Sequence, residues 1–159
     1  MTTYARILVP HDGSKHSDSA LNNAAKIAKA SGANTLLFNV IEEIVIPLMI
    51  QRPNIRSPKT GQMIHMEKYL KELYQDMKNN VAKTLHEKKM EYQKSGVTIT
   101  VKVVVGRPSD KILKYAKEEK VDLIVMGTAG LGSAFKAAVF GSVARKVSEE
   151  ALCPVILMR

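Results

Sequence analysis

The chain has 159 residues, 45% hydrophobic and 25% charged. These values fit one soluble globular domain with a real core and exclude a fibrous or disordered chain. The single cysteine, Cys153, rules out an intrachain disulfide, and no apolar run approaches the ~20 residues of a membrane span, so a cytoplasmic protein without a membrane partner is expected. The net charge of +9 comes from lysines scattered along the chain, with only 5% aromatic residues and no tryptophan to form a base-stacking platform; nucleic acid is therefore disfavoured as a partner.

The N-terminus leads directly into Tyr4–Pro10, whose centre Ile7-Leu8-Val9 reads as a buried strand, and no secretory leader is expected. Pro10 removes a ladder donor, and His11-Asp12-Gly13-Ser14 supplies turn chemistry. Leu21, Ala24/Ala25 and Ile27/Ala28 recur at helical spacing, with Ser17 as the expected N-cap and Gly32 as the C-terminal stop. Asn34–Ile41 is the second strand. The stretch 44–62 contains Pro47, Pro53, Pro58 and Gly61, which rule out a long helix. It reads as a surface loop or lid. Its apolar patch, Ile44 to Ile46 and Leu48 to Ile50, either folds back over the domain's own core, the favoured reading, or meets a partner or ligand.

From Ile64 to about Lys94, Met66, Leu70, Leu73, Met77, Val81 and Leu85 mark one face of a long amphipathic helix closed by Ser95-Gly96. His65 and His86 lack a second ligand at metal spacing, so no metal site is expected. Val97–Val105 is β-branched and alternating, hence a third strand. Pro108 suits the first turn of a third helix carrying Ile112, Leu113, Tyr115 and Ala116. Val121–Met126 is a fourth strand interrupted only by Asp122. Glycines follow at 127, 130, 132 and 141, then a helix from Ser142 to about Glu150, and Pro154–Met158 is a fifth strand.

Strict β-α alternation predicts an α/β fold: one domain over 1–159 with a doubly wound five-stranded parallel sheet, helices on both faces. Strand order 3-2-1-4-5 would put a crevice between the first and fourth strands, at their carboxyl ends. The turn 10–14 and the glycine loop 127–142 follow those two strands. Glycine backbone followed by a helix start can hold a phosphate, though the glycines could equally be turn residues. Gly127 to Gly132 has the outer glycines of a P-loop, but Ser133-Ala134 stands where Lys and Ser/Thr are required. Phe135 occupies the third glycine position of a dinucleotide fingerprint.

The first strand with its Asp-Gly-Ser turn, the strand Val121–Gly127 and the Gly141-Ser142 helix start together resemble the universal stress protein family, from Arg6 to Leu157 with 44–64 as a variable insert. The ATP-binding branch of that family carries G-x2-G-x9-G-(S/T). Gly127, Gly130, Gly141 and Ser142 match it, except that the spacer 131–140 is ten residues, one longer than the motif. The resemblance implies ATP or AMP, with Mg2+ as a possible companion. Phosphates would lie against Gly127, Gly130, Gly141, Ser142 and Val143, with Asp12 on the nucleoside, Pro10 and Val40 at the base and Met126 near the ribose. Without the resemblance, Asp12 reads equally as an Asx-turn residue and Ser142 as a cap.

Leu131, Phe135 and Val139 share one apolar side at helical spacing, for packing or a subunit contact. His11, Asp12, Lys136 and Arg145 are the only candidates for phosphoryl transfer, and none has catalytic spacing. A regulatory nucleotide-binding module is therefore favoured over a weak ATP hydrolase or phosphotransferase, with a ligand-free structural dimer as the third possibility. A homodimer through the C-terminal strand is expected from the resemblance, and an apolar edge strand gives the physical reason.

Overall fold

The computed structural model describes residues 3–47, 53–130 and 140–159. In chain order the elements are β1 (Arg6–Pro10), α1 (Lys15–Ser31), β2 (Asn34–Glu42), β3 (Asn54–Arg56), β4 (Met63–His65), α2 (Met66–Gln93), β5 (Ile99–Gly106), α3 (Pro108–Glu118), β6 (Leu123–Gly127), α4 (Ser142–Glu150) and β7 (Val155–Met158). The main sheet has the order β5-β2-β1-β6-β7, and all its pairings are parallel. Counting the small hairpin strands apart, this is the predicted order.

Each central strand is apolar throughout because it is covered on both faces. Along β1 the side chains alternate. Ile7 and Val9 join Leu37, Leu123 and Val125 against α1 and α2, where Ala20, Ala24, Ala25 and Ala28 let α1 approach closely. Leu8 faces the other way with Phe38, Ile124 and Met126, under Ile112, Tyr115, Ala144 and Val147 of α3 and α4. Tyr115 stacks flat on Phe38, centroids 4.4 Å apart, with the Lys102 ammonium 5.0 Å from the Tyr115 ring centre. Asp122, the polar interruption before β6, has a structural task. Its Oδ2 accepts the amides of Ala5 and Arg6, both at 2.8 Å, and so ties β6 to the start of β1.

Three local expectations change. The N-cap of α1 is Ser14, not Ser17: the Ser14 hydroxyl accepts from Ser17 N–H at 3.2 Å, while Ser17 Oγ donates to Ser14 O at 2.8 Å. The helix thus starts inside the Asp-Gly-Ser turn itself. The 44–64 stretch is not loop alone, since β3 and β4 pair antiparallel around a turn stapled by Ser57. Within its patch, Ile44 and Val45 are exposed, Val45 at 86%, so they do not fold over the core. Leu48 to Ile50 lie outside the described residues.

Helix α2 differs from expectation in its burial. Of the six residues marking its face, only Leu85 is buried, with Val81 packed beside it on the core. The reason is length. At 28 residues the helix runs roughly 42 Å, well beyond the strands it covers. Its N-terminal part supports the hairpin and the end of β2 instead: Lys59 bonds Asp76 at 2.8 Å, and Ile44 N–H donates to the Tyr74 hydroxyl at 2.7 Å.

Candidate functional site

β1 and β6 are neighbours in the sheet, yet their connections leave on opposite faces, α1 on one and α4 on the other. This is the switch point at which α/β sheets open a crevice. The turn 10–14 lies at its β1 side and Gly127 to Gly130 at its β6 side. An ideal Cβ on Gly130 would lie 2.7 Å from Asp12 Oδ2, so the two loops touch where the candidate residues sit. Asp12 is exposed, and its Oδ1 accepts the Ser14 amide at 3.0 Å, an Asx turn that leaves the second oxygen facing Gly130.

The α4 start is fixed by backbone. Gly141 N–H donates to Thr128 O at 2.7 Å, and Thr128 N–H donates to Met158 O at 2.9 Å. The Gly141 amide is thereby occupied, whereas its carbonyl accepts the first helical bond, from Arg145. Among the described residues the amides of Ser142, Val143 and Ala144 have no partner, and no side chain caps the helix. Such a helix start presents free donors and partial positive charge. Pro10, Val40 and Met126 form an apolar floor. By strand alternation they continue the face of Leu8, Phe38 and Ile124, which is the face α4 covers. Pro10 is buried, Met126 is 4% exposed and Val40 is half-buried.

Gly127 has a further task. A Cβ there would meet His16 Cβ at 2.7 Å, His16 C at 3.0 Å and Ser17 N at 3.2 Å, so β6 lies directly against the first turn of α1. His16 Nδ1 then donates to Ala129 O at 3.2 Å, anchoring the chain just before Gly130. Leu131, Phe135, Lys136 and Val139 lie outside the described residues.

A polar network beneath the Asp12 turn escaped sequence reading. His11 is 3% exposed. Its Nδ1 accepts Gly13 N–H at 3.2 Å and its Nε2 bonds Asp18 Oδ1 at 2.9 Å, so the neutral ring carries its proton on Nε2. Lys88 of α2 reaches the same Asp18 oxygen at 2.7 Å. Burial pushes the His11 imidazole below its ordinary value, only partly offset by the Asp18 hydrogen bond and charge. For Asp18, partial burial acts upward, but bonds from Lys88 and His11 outweigh it and the carboxyl ends below its usual range. The pair His11 and Asp18 has a faint sequence signal, a turn histidine and a first-turn helix acid seven residues apart. Lys88, 70 residues further on, has none. No cluster of His, Cys, Asp or Glu among the described residues could hold a metal ion.

The family model described as "Universal stress protein family" matches residues 3–159. Universal stress protein YxiE of Bacillus subtilis is 33% identical over 156 residues, covering 98% of this chain and 99% of that protein. The solved UspA of Lactobacillus plantarum superimposes with a TM-score of 0.81 at 26% identity, both chains covered in full. An Archaeoglobus fulgidus universal stress protein, solved in complex with dAMP, shares the fold at 22% identity and a TM-score of 0.58, covering 99% of this chain and all of that one. With a parallel sheet of the same strand order and a family match from end to end, this chain is a member of the universal stress protein family.

Proposed function

We propose that this protein is a regulatory module that binds an adenine nucleotide, ATP or AMP, and changes its contacts with partners in the stress response according to the bound state. One observation carries the reading: the unpartnered first-turn amides of Ser142, Val143 and Ala144 open beside the point where Asp12 and Gly130 meet. The phosphates would take those amides and the Ser142 hydroxyl, close to the backbone of Gly127 and Gly130. Gly141 would act through its fold, since its own amide is engaged by Thr128. Asp12 would meet the ribose hydroxyls, and Pro10, Val40 and Met126 would underlie the nucleoside. The dAMP complex of the A. fulgidus relative supports adenine nucleotide chemistry on this fold. Any Mg2+ would arrive with the phosphates, and no residue is assigned to it.

Binding is favoured over hydrolysis because both His11 ring nitrogens are already engaged, by Gly13 and Asp18, leaving no free base there. The deciding experiment is extraction of the purified protein, identification of released nucleotide, and calorimetric titration of stripped protein with ATP and AMP. Micromolar binding of either, lost in Gly130→Val, is expected. Stripped protein that binds neither would leave a structural dimer as the better account. Magnesium-dependent turnover well above that of Gly130→Val would instead establish an enzyme. The homodimer is proposed through β7, the outer strand, where Ile156 is 37% exposed and Leu152, just before it, 86%.

A further inference from the structure

We infer that His11 is a positioning residue for the ligand turn, and that it links this turn to helix α2 through Asp18 and Lys88. The inference rests on the nucleotide reading of the site. The link is a continuous set of short contacts: Lys88 Nζ to Asp18 Oδ1 at 2.7 Å, Asp18 Oδ1 to His11 Nε2 at 2.9 Å, and Gly13 N–H to His11 Nδ1 at 3.2 Å. His11 is itself clamped by backbone, its N–H donating to Phe38 O at 2.8 Å and its carbonyl accepting from Asn39 Nδ2 at 2.7 Å. The ring therefore cannot move away without disturbing β2. Gly13 lies between Asp12 and Ser14 and has φ 88°, a conformation held here by the bond from its amide to the ring. Fixing the Gly13 amide fixes the peptide that carries Asp12, and with it the carboxylate against Gly130.

The neutral ring is essential to this arrangement. A protonated imidazole carries hydrogens on both nitrogens and cannot accept from Gly13 N–H. Protonation would turn the acceptor at Nδ1 into a donor facing a donor, and the turn would have to open. The charged and titratable groups around the ring are Asp12 on its own turn, Asp18 on α1 and Lys88 on α2, with Tyr92 of α2 facing Asp18 and Lys88. The two carboxylates favour the charged ring; Lys88 and burial oppose it. Lys88 thus keeps the turn closed from a different layer of the molecule.

The test uses ATP titrated calorimetrically from pH 5.5 to 8 into the full chain and two variants. ATP's own phosphate titrates in this window, so the wild type is read against each variant. The wild type should bind about tenfold more weakly at the acid end. His11→Asn places Oδ1 where Nδ1 stands, keeps an acceptor for Gly13 and does not titrate; it should bind as wild type at pH 8 and lose the acid weakening beyond ATP's own. Lys88→Met, remote from the ligand, should leave affinity at pH 8 unchanged. It should move the midpoint of the wild-type profile to higher pH, together with the His11 ring titration followed by NMR. Superimposable profiles for wild type and Lys88→Met, with ATP bound, would overturn the inference alone, even if His11→Asn fails to fold. No ATP binding by the wild type at any pH would overturn the nucleotide reading and the inference with it.

Discussion

A methyl group added to Gly127 would run into main-chain atoms of α1, whereas one added to Gly130 would meet only the far end of the Asp12 side chain. The first obstacle cannot step aside; the second can. Gly127→Ala should therefore destabilise the fold by about 1–3 kcal/mol, the usual range for overpacking, read from the urea midpoint. Gly130→Ala should unfold near the wild-type midpoint but bind ATP at least about tenfold more weakly, because Asp12 is displaced. A Gly127→Ala variant as stable as wild type would show that α1 does not press on β6 as described. These glycines were visible in the sequence, but their separate duties were not, because spacing does not reveal which neighbour occupies the missing side chain's place. The buried His11 adds a pH signature of its own. Its folded-state value lies below the unfolded 6.5, so its stabilising contribution is complete above 6.5 and is lost as pH falls through the lowered value. The stability gap between wild type and His11→Asn should shrink as pH drops from 7 to 5, measured by urea denaturation.

Among the elements, the strands and helices of the main sheet were legible because each carries its own period and its own stop. The Ser142 start of α4, the Gly32 stop of α1 and Pro108 at the head of α3 are all local signals. The start of α1 was misread by three residues, since Ser14 and Ser17 are both cap formers and only the closed turn selects between them. Ser14→Ala should cost about 1 kcal/mol of stability, whereas replacing a cap residue by glycine costs only a few tenths; the two thermal midpoints would separate accordingly. The hairpin of β3 and β4 was hidden by its prolines and three-residue strands. Its support is tertiary, from Lys59 on Asp76 along the overhanging half of α2, and no local pattern encodes that overhang.

For the whole molecule, α-β alternation and the doubly wound order were readable because chain connectivity leaves few parallel arrangements. The link between the Asp12 turn and Lys88 was not, since it joins three layers whose mutual position only the folded sheet determines. At this scale the proposed assembly is testable: Ile156→Lys, a charge on the open side of β7, should convert a dimer into a folded monomer in sedimentation experiments. An unchanged dimer would move the interface elsewhere. Finally, the bond from Gly141 to Thr128 works as a drawstring: it gathers the two ends of the glycine segment at its neck, so that α4 begins where β6 ends whatever the length of chain between them. One extra residue inside such a purse raises the closure entropy by only roughly 0.1 kcal/mol. A family member can therefore carry a longer spacer than its motif and still offer the same helix start to an anion.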